Sequence, residues 1–158
     1  MKKLYLLRHA KSSWKDSSLK DIDRPLNNRG KYQVKFMREF VLKNSIKPDL
    51  ILCSTSKRTK LTHSGIFDDK NAVFMDSLYH ASSSEIMNII KKVDKHIDTL
   101  IIIGHNPGLN EFASWLINFE NNIQTGSLIQ IDISIQDWKD LHKKSSKFVS
   151  YTNPPKRN

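Results

Sequence analysis

Four short aliphatic runs recur along the chain, and a stretch with helical spacing separates most of them from the next. The runs are Leu4 to Leu7, Leu50 to Cys53, Ala72 to Met75 and Thr99 to Ile103. Each reads as a strand, the first two as buried and Thr99 to Ile103 as the strongest. Between them, Asn27 or Asn28 can cap a helix in which Val34, Phe36, Met37, Phe40 and Val41 keep near-helical spacing. Ser54 or Ser56 can cap a second helix, running to about Asp68. Ser82, Ser83 or Ser84 can cap a third, carrying Ile86, Ile89, Ile90 and Val93. Pro107 suits the first turn of a fourth. Farther on, Ser127 to Ile135 alternates apolar and polar residues, which predicts an edge or antiparallel strand, and Lys147 to Tyr151 reads as a last strand.

This alternation predicts an α/β fold: a three-layer sandwich with a mostly parallel central sheet, helices on both faces and an antiparallel edge strand. No repeat or low-complexity linker divides the chain, so residues 1–158 are expected to form one domain. The single Cys53 excludes an intramolecular disulfide. No aliphatic run is long enough to span a bilayer, and the apolar stretch after Lys3 ends after four residues, short of a signal-peptide core. A cytoplasmic protein is expected, without membrane contact.

Charge adds a constraint. The formal net charge is +10, and all of it lies in residues 1–70, which hold 17 basic and 7 acidic side chains. Such a half calls for an anionic partner. No RNA-binding aromatic motif or recognition helix accompanies it, so nucleic acid is not the expected ligand.

In mostly parallel sheets, ligands bind beyond the carboxyl ends of the strands. There the first run ends in Arg8-His9, the second leads to Lys57-Arg58, and the fourth ends in Gly104-His105-Asn106-Pro107. Two guanidinium groups and two imidazoles converging on one sheet edge suit a phosphoryl group. Arginine offers planar, charge-assisted donors to phosphate oxygens, and a neutral imidazole can act as a nucleophile or a donor.

The residues that carry this chemistry also resemble a known family. Leu4-Tyr5-Leu6-Leu7-Arg8-His9-Ala10-Lys11-Ser12 is similar to the RHG/RHA signature of the histidine phosphatase superfamily, also called phosphoglycerate mutase-like. Asp23-Arg24-Pro25-Leu26, the Ser54 to Thr62 segment, Leu78-Tyr79-His80-Ala81 and Gly104-His105-Asn106-Pro107-Gly108 resemble further elements of that family, in the same order. The short length and the Arg8 to Trp14 start point to its SixA-like branch, the phosphohistidine phosphatases. The resemblance implies a hydrolase in which His9 is the nucleophile, Arg8 and Arg58 bind the non-bridging oxygens and His105 donates to the same phosphoryl group. It implies no metal and no organic cofactor. Arg24, Lys11 and Ser12 are candidate substrate-binding residues, and Trp14 and Tyr79 a candidate apolar wall.

The loop after the third strand often carries the general acid in larger relatives, usually as Glu. Here Asp76, His80 and Glu85 are nearby, and none is singled out. An ester gains much from such an acid, whereas phosphohistidine has a better leaving group. The expected substrate is therefore phosphohistidine in a protein. Alternatives are a small-molecule phosphomonoesterase and a non-catalytic binder of phosphorylated or nucleic-acid ligands. A monomer is the expected assembly. Cys53 and Arg58 are separated by four residues rather than the five that a cysteine-dependent phosphatase loop needs, so Cys53 is expected to be a buried thiol.

Overall fold

The computed structural model describes residues 1–68 and 71–156. The strands are β1 (Lys2–Arg8), β2 (Leu50–Ser54), β3 (Ala72–Met75), β4 (Thr99–Gly104), β5 (Leu128–Ile133) and β6 (Ser146–Thr152). The helices are α1 (Asn28–Lys43), α2 (Lys57–Ile66), α3 (Ser83–Lys91) and α4 (Gly108–Ile117). The six strands form one sheet in the order β3-β2-β4-β1-β5-β6. The first four in that order run parallel, and β5 and β6 add antiparallel. This is the expected three-layer sandwich.

Alternation along the strands divides the core in two. Leu4, Leu6, Leu52, Leu100 and Ile102 meet Ile86 and Ile90 of α3 and Phe112 and Leu116 of α4 on one face. Tyr5, Leu7, Ile51, Cys53, Ile101 and Ile103 meet Val34 and Met37 of α1 and Ile66 of α2 on the other. The inner strands β1, β2 and β4 are apolar on both faces for this reason. On β5, Ile129, Ile131 and Ile133 enter the first core and Leu128 the second, as a pleated strand requires.

The helix starts resolve the capping alternatives. Asn27 caps α1, its side chain accepting from the Gly30 N–H at 2.8 Å. Ser56 caps α2, while Ser54 remains in β2. Ser82 and Glu85 form a reciprocal capping box on α3. Two boundaries differ from the sequence reading. Pro107 is the residue before α4 rather than within its first turn. The second helix stops at Ile66, because Phe67 turns to extended backbone. The strand β5 is antiparallel, as read, and β6 pairs with its outer side to form the expected antiparallel edge. The edges are β3 and β6. The edge position of β3 explains why Val73 and Phe74 are exposed.

Candidate active site

The parallel strands β1, β2 and β4 all end at one edge of the sheet, with Arg8 directly opposite Gly104 in the register. A cavity of about 150 Å³ opens there, lined by Arg8, His9, Lys11, Ser12, Trp14, Asp21, Arg58 and Thr125. His9 and His105 are both buried, and their ring centroids lie 5.2 Å apart. The strand ends thus bring together the four residues singled out from the sequence.

Each is held by specific contacts. His9 Nδ1 lies 2.7 Å from the Ala10 carbonyl oxygen. A carbonyl only accepts, so Nδ1 carries the proton and Nε2 keeps the ring's lone pair. Burial, opposed in part by that hydrogen bond, pushes the His9 imidazole down to about 4, and Arg58 and Arg8 push it the same way. The ring is neutral at neutral pH. The Ala10 N–H donates to Thr62 Oγ1 at 2.9 Å, and that hydroxyl donates to the Arg58 carbonyl at 2.7 Å. One threonine of α2 therefore ties the loop bearing His9 to the helix bearing Arg58.

Arg58 Nη1 donates to the Asp21 carbonyl at 2.8 Å, and Nη2 donates to Asp21 Oδ2 at 3.0 Å. Arg8 Nη1 donates to the Ile123 carbonyl at 2.9 Å, while its buried Nε has no hydrogen-bond partner among the described residues. A buried donor left unpaired beside a polar cavity is a ready contact for an anion. His105 Nδ1 lies 3.4 Å from Arg58 Nη2, which only donates, so His105 accepts there and carries its proton on Nε2. Nε2 then donates to Ser54 Oγ at 2.8 Å. Burial first, then the neighbouring His9 and Arg58, push His105 down to about 3.

The residue that sequence reasoning missed is Asp21, which in the sequence reads only as a partner for Arg24. The short 3-10 turn Asp21–Asp23 instead carries it into the cavity wall, where it meets Arg58, the Tyr79 hydroxyl and His80. Hydrogen bonds from Tyr79 and then Arg58 hold its carboxyl below the usual carboxylate range despite burial. Its only sequence signal is an acidic residue just before Arg24-Pro25 in a basic segment.

The remaining candidates divide. Lys11 and Ser12 line the cavity, and Ser12 is buried, paired with Leu26 in an isolated bridge rather than loose. Arg24 stands one layer back, its guanidinium 3.8 Å from the Trp14 ring centre and 3.8 Å from Asp21 Oδ1. Trp14 is 65% exposed at the rim. Asp76 and Glu85 do not line the cavity, and Glu85 is used to cap α3. His80 stacks on Tyr79 with centroids 4.0 Å apart. His63 is buried beside Phe67 and Phe74 and is not among the residues lining the cavity. The Cys53 thiol is buried and pushed up to about 12 by desolvation, which removes it as a nucleophile at neutral pH. Among the described residues, no three His, Cys, Asp or Glu side chains converge as a metal set would. No helix among them is long and apolar enough to cross a membrane.

The chain is similar to known proteins in sequence and in fold. The family model of the histidine phosphatase superfamily (branch 1) matches residues 4–78. A chloroplastic protein of Arabidopsis thaliana is 31% identical over 152 residues, covering 88% of this chain and 70% of its own. A Mycobacterium tuberculosis protein is 34% identical over 109 residues, covering 68% of this chain and 67% of its own. Both relatives are named as uncharacterized. In fold, the chain is similar to a candidate phosphohistidine phosphatase SixA from Nakamurella multipartitia, with a TM-score of 0.87, 20% identity and coverage of 97% and 96% of the two chains. A candidate SixA from Agrobacterium tumefaciens gives 0.84 at 24% identity, covering 97% and 98%. The protein histidine phosphatase SixA complexed with tungstate gives 0.80 at 14% identity, covering 96% and 97%.

Proposed function

This chain belongs to the histidine phosphatase superfamily, and we propose that it removes phosphoryl groups from phosphohistidine in a protein, by way of a phosphorylated His9. The observation that carries the reading is the Ala10 carbonyl on His9 Nδ1, which leaves a neutral ring with its lone pair on Nε2 beside two guanidinium groups.

In the first step, Nε2 of His9 bonds to phosphorus as the P–N bond of the substrate breaks, and the substrate ring, protonated on its other nitrogen, keeps the electron pair and leaves as neutral imidazole. Arg8 Nε and the Arg58 fork take the non-bridging oxygens, and the positive site stabilises the charge spread over them. A bound dianion favours protonation of His105, which turns Nδ1 from acceptor into donor toward the phosphoryl group. In the second step, water attacks phosphorus, the P–N bond breaks and phosphate leaves.

Three features support phosphohistidine over a metabolite ester. The cavity is small, about 150 Å³, and the exposed Trp14 that lines it is braced by Arg24. Asp21, the one carboxylate in the wall, is held ionised and offers no proton to a poor leaving group. Lys11, Lys15, Lys20 and Arg24 lie in or next to the segments that form the rim, a field that steers an acidic phosphoprotein.

The test is a substrate panel. Phosphate release from a phosphohistidine-bearing phosphocarrier or phosphotransfer domain is expected to exceed release from sugar phosphates and phosphoglycerate in kcat/KM. Faster turnover of one of those metabolites would reverse the assignment.

A further inference from the structure

Thr125 lines the cavity together with Arg8, His9 and Arg58, and the steps above leave it unused. It stands in the turn that leads into β5, and that turn is tied to the backbone of the first strand's end. The Gly126 N–H donates to the Arg8 carbonyl at 3.1 Å and to the His9 carbonyl at 3.0 Å. Gly126 has φ +72, and a Cβ there would stand 2.9 Å from Gln33 Cβ, so the turn packs directly on Gln33 of α1.

Gln33 is buried, and both ends of its amide are committed. The Lys11 N–H meets one end at 2.9 Å. A backbone N–H only donates, so that end is the oxygen Oε1 and the other end is the nitrogen Nε2. Nε2 only donates, and it lies 3.0 Å from Thr125 Oγ1. The threonine oxygen therefore accepts, and its own hydrogen has no acceptor among the described residues. Thr62 is the contrasting case: its hydroxyl accepts from the Ala10 N–H and spends its hydrogen on the Arg58 carbonyl. Thr125 keeps its hydrogen to give.

We infer that the Thr125 hydroxyl is a further donor to the bound phosphoryl group, with Gln33 as its positioning residue. This rests on the reading that the cavity takes a phosphoryl group onto His9. Non-bridging oxygens only accept, so a hydroxyl binds them by giving its hydrogen. Gln33 holds the threonine oxygen before the ligand arrives, which lowers the cost of ordering the donor. The same amide holds the Lys11 N–H, so one side chain sets the distance between the segment that follows His9 and the turn that carries the donor.

The test measures inhibition by inorganic phosphate and turnover of phosphoramidate in Thr125→Val, which keeps the shape and removes the hydroxyl, and in Thr125→Ser, which keeps the hydroxyl. Thr125→Val is expected to weaken phosphate binding and lower kcat/KM by about 10- to 100-fold, the range for one hydrogen bond to a charged group. Thr125→Ala is expected to match it, and Thr125→Ser to stay near the wild type. Wild-type constants in Thr125→Val, or a loss in Thr125→Ser as large as in Thr125→Val, overturns the donor. Gln33→Met is expected to weaken phosphate binding when Thr125 is present and to add nothing in the Thr125→Val background. No loss at all, or an equal loss in both backgrounds, overturns the positioning role. Phosphoramidate reads the foundation separately: a wild type that gains no phosphoryl group on His9 sinks the reading beneath, whereas a labelled wild type beside an unimpaired Thr125→Val sinks the donor alone.

Discussion

Asp21 grips Arg58 with two different atoms, its carbonyl oxygen at 2.8 Å from Nη1 and its carboxylate at 3.0 Å from Nη2. The arginine is thereby fixed in plane where it lines the cavity. A lysine can keep the charge but cannot make both bonds and present a planar fork. Arg58→Lys is therefore expected to lower kcat/KM by about 100-fold, the scale of losing one oriented donor to a developing oxyanion. The variant is expected to melt near the wild type, so steady-state kinetics beside a thermal melt checks the claim.

The two buried imidazoles link stability to pH. In the folded protein His9 is pushed down to about 4 and His105 to about 3, against an ordinary 6.5. As pH falls through 6.5, the unfolded chain binds protons that the folded site refuses. Stability is thus full above 6.5 and falls with acid toward pH 4. Melting temperatures across that window are expected to drop, and His105→Gln is expected to flatten the slope. Identical slopes in the two proteins would contradict the burial account.

Gly30 is set by packing. A Cβ there would stand 2.1 Å from the Lys11 carbonyl oxygen. That carbonyl accepts from the Asn27 N–H, so the start of α1 and the Lys11 segment lie backbone to backbone. Gly30→Ala is expected to force them apart and cost about 1–3 kcal/mol, the range for overpacking a tight site. The loop that bears His9 moves with Lys11, so kcat is expected to fall as well. Urea titration with a lowered midpoint and an unchanged slope is the check.

The strands and their ends are legible in the sequence because each inner strand is buried on both faces, so its apolar run is unbroken and Arg8, Lys57-Arg58 and Gly104-His105 stand out just after it. Asp21 is not legible. Its partners lie 37 and 58 residues away in the chain, and a three-residue 3-10 turn with no periodicity delivers it. For the same reason Arg24 reads as a pocket residue, while in the fold its guanidinium rests on Trp14, a contact between two loop residues that no pattern encodes. The place of β5 is equally hidden, since an antiparallel strand with one apolar face reads alike at an edge and one strand in.

The central claim is that His9 carries the phosphoryl group. Wild-type protein mixed with phosphoramidate or a phosphohistidine protein, quenched in alkali and fragmented for mass spectrometry, tests it most directly. The account predicts one acid-labile phosphoryl group on His9, and neither label nor turnover in His9→Ala. A label on another residue, or turnover that survives in His9→Ala, would contradict it.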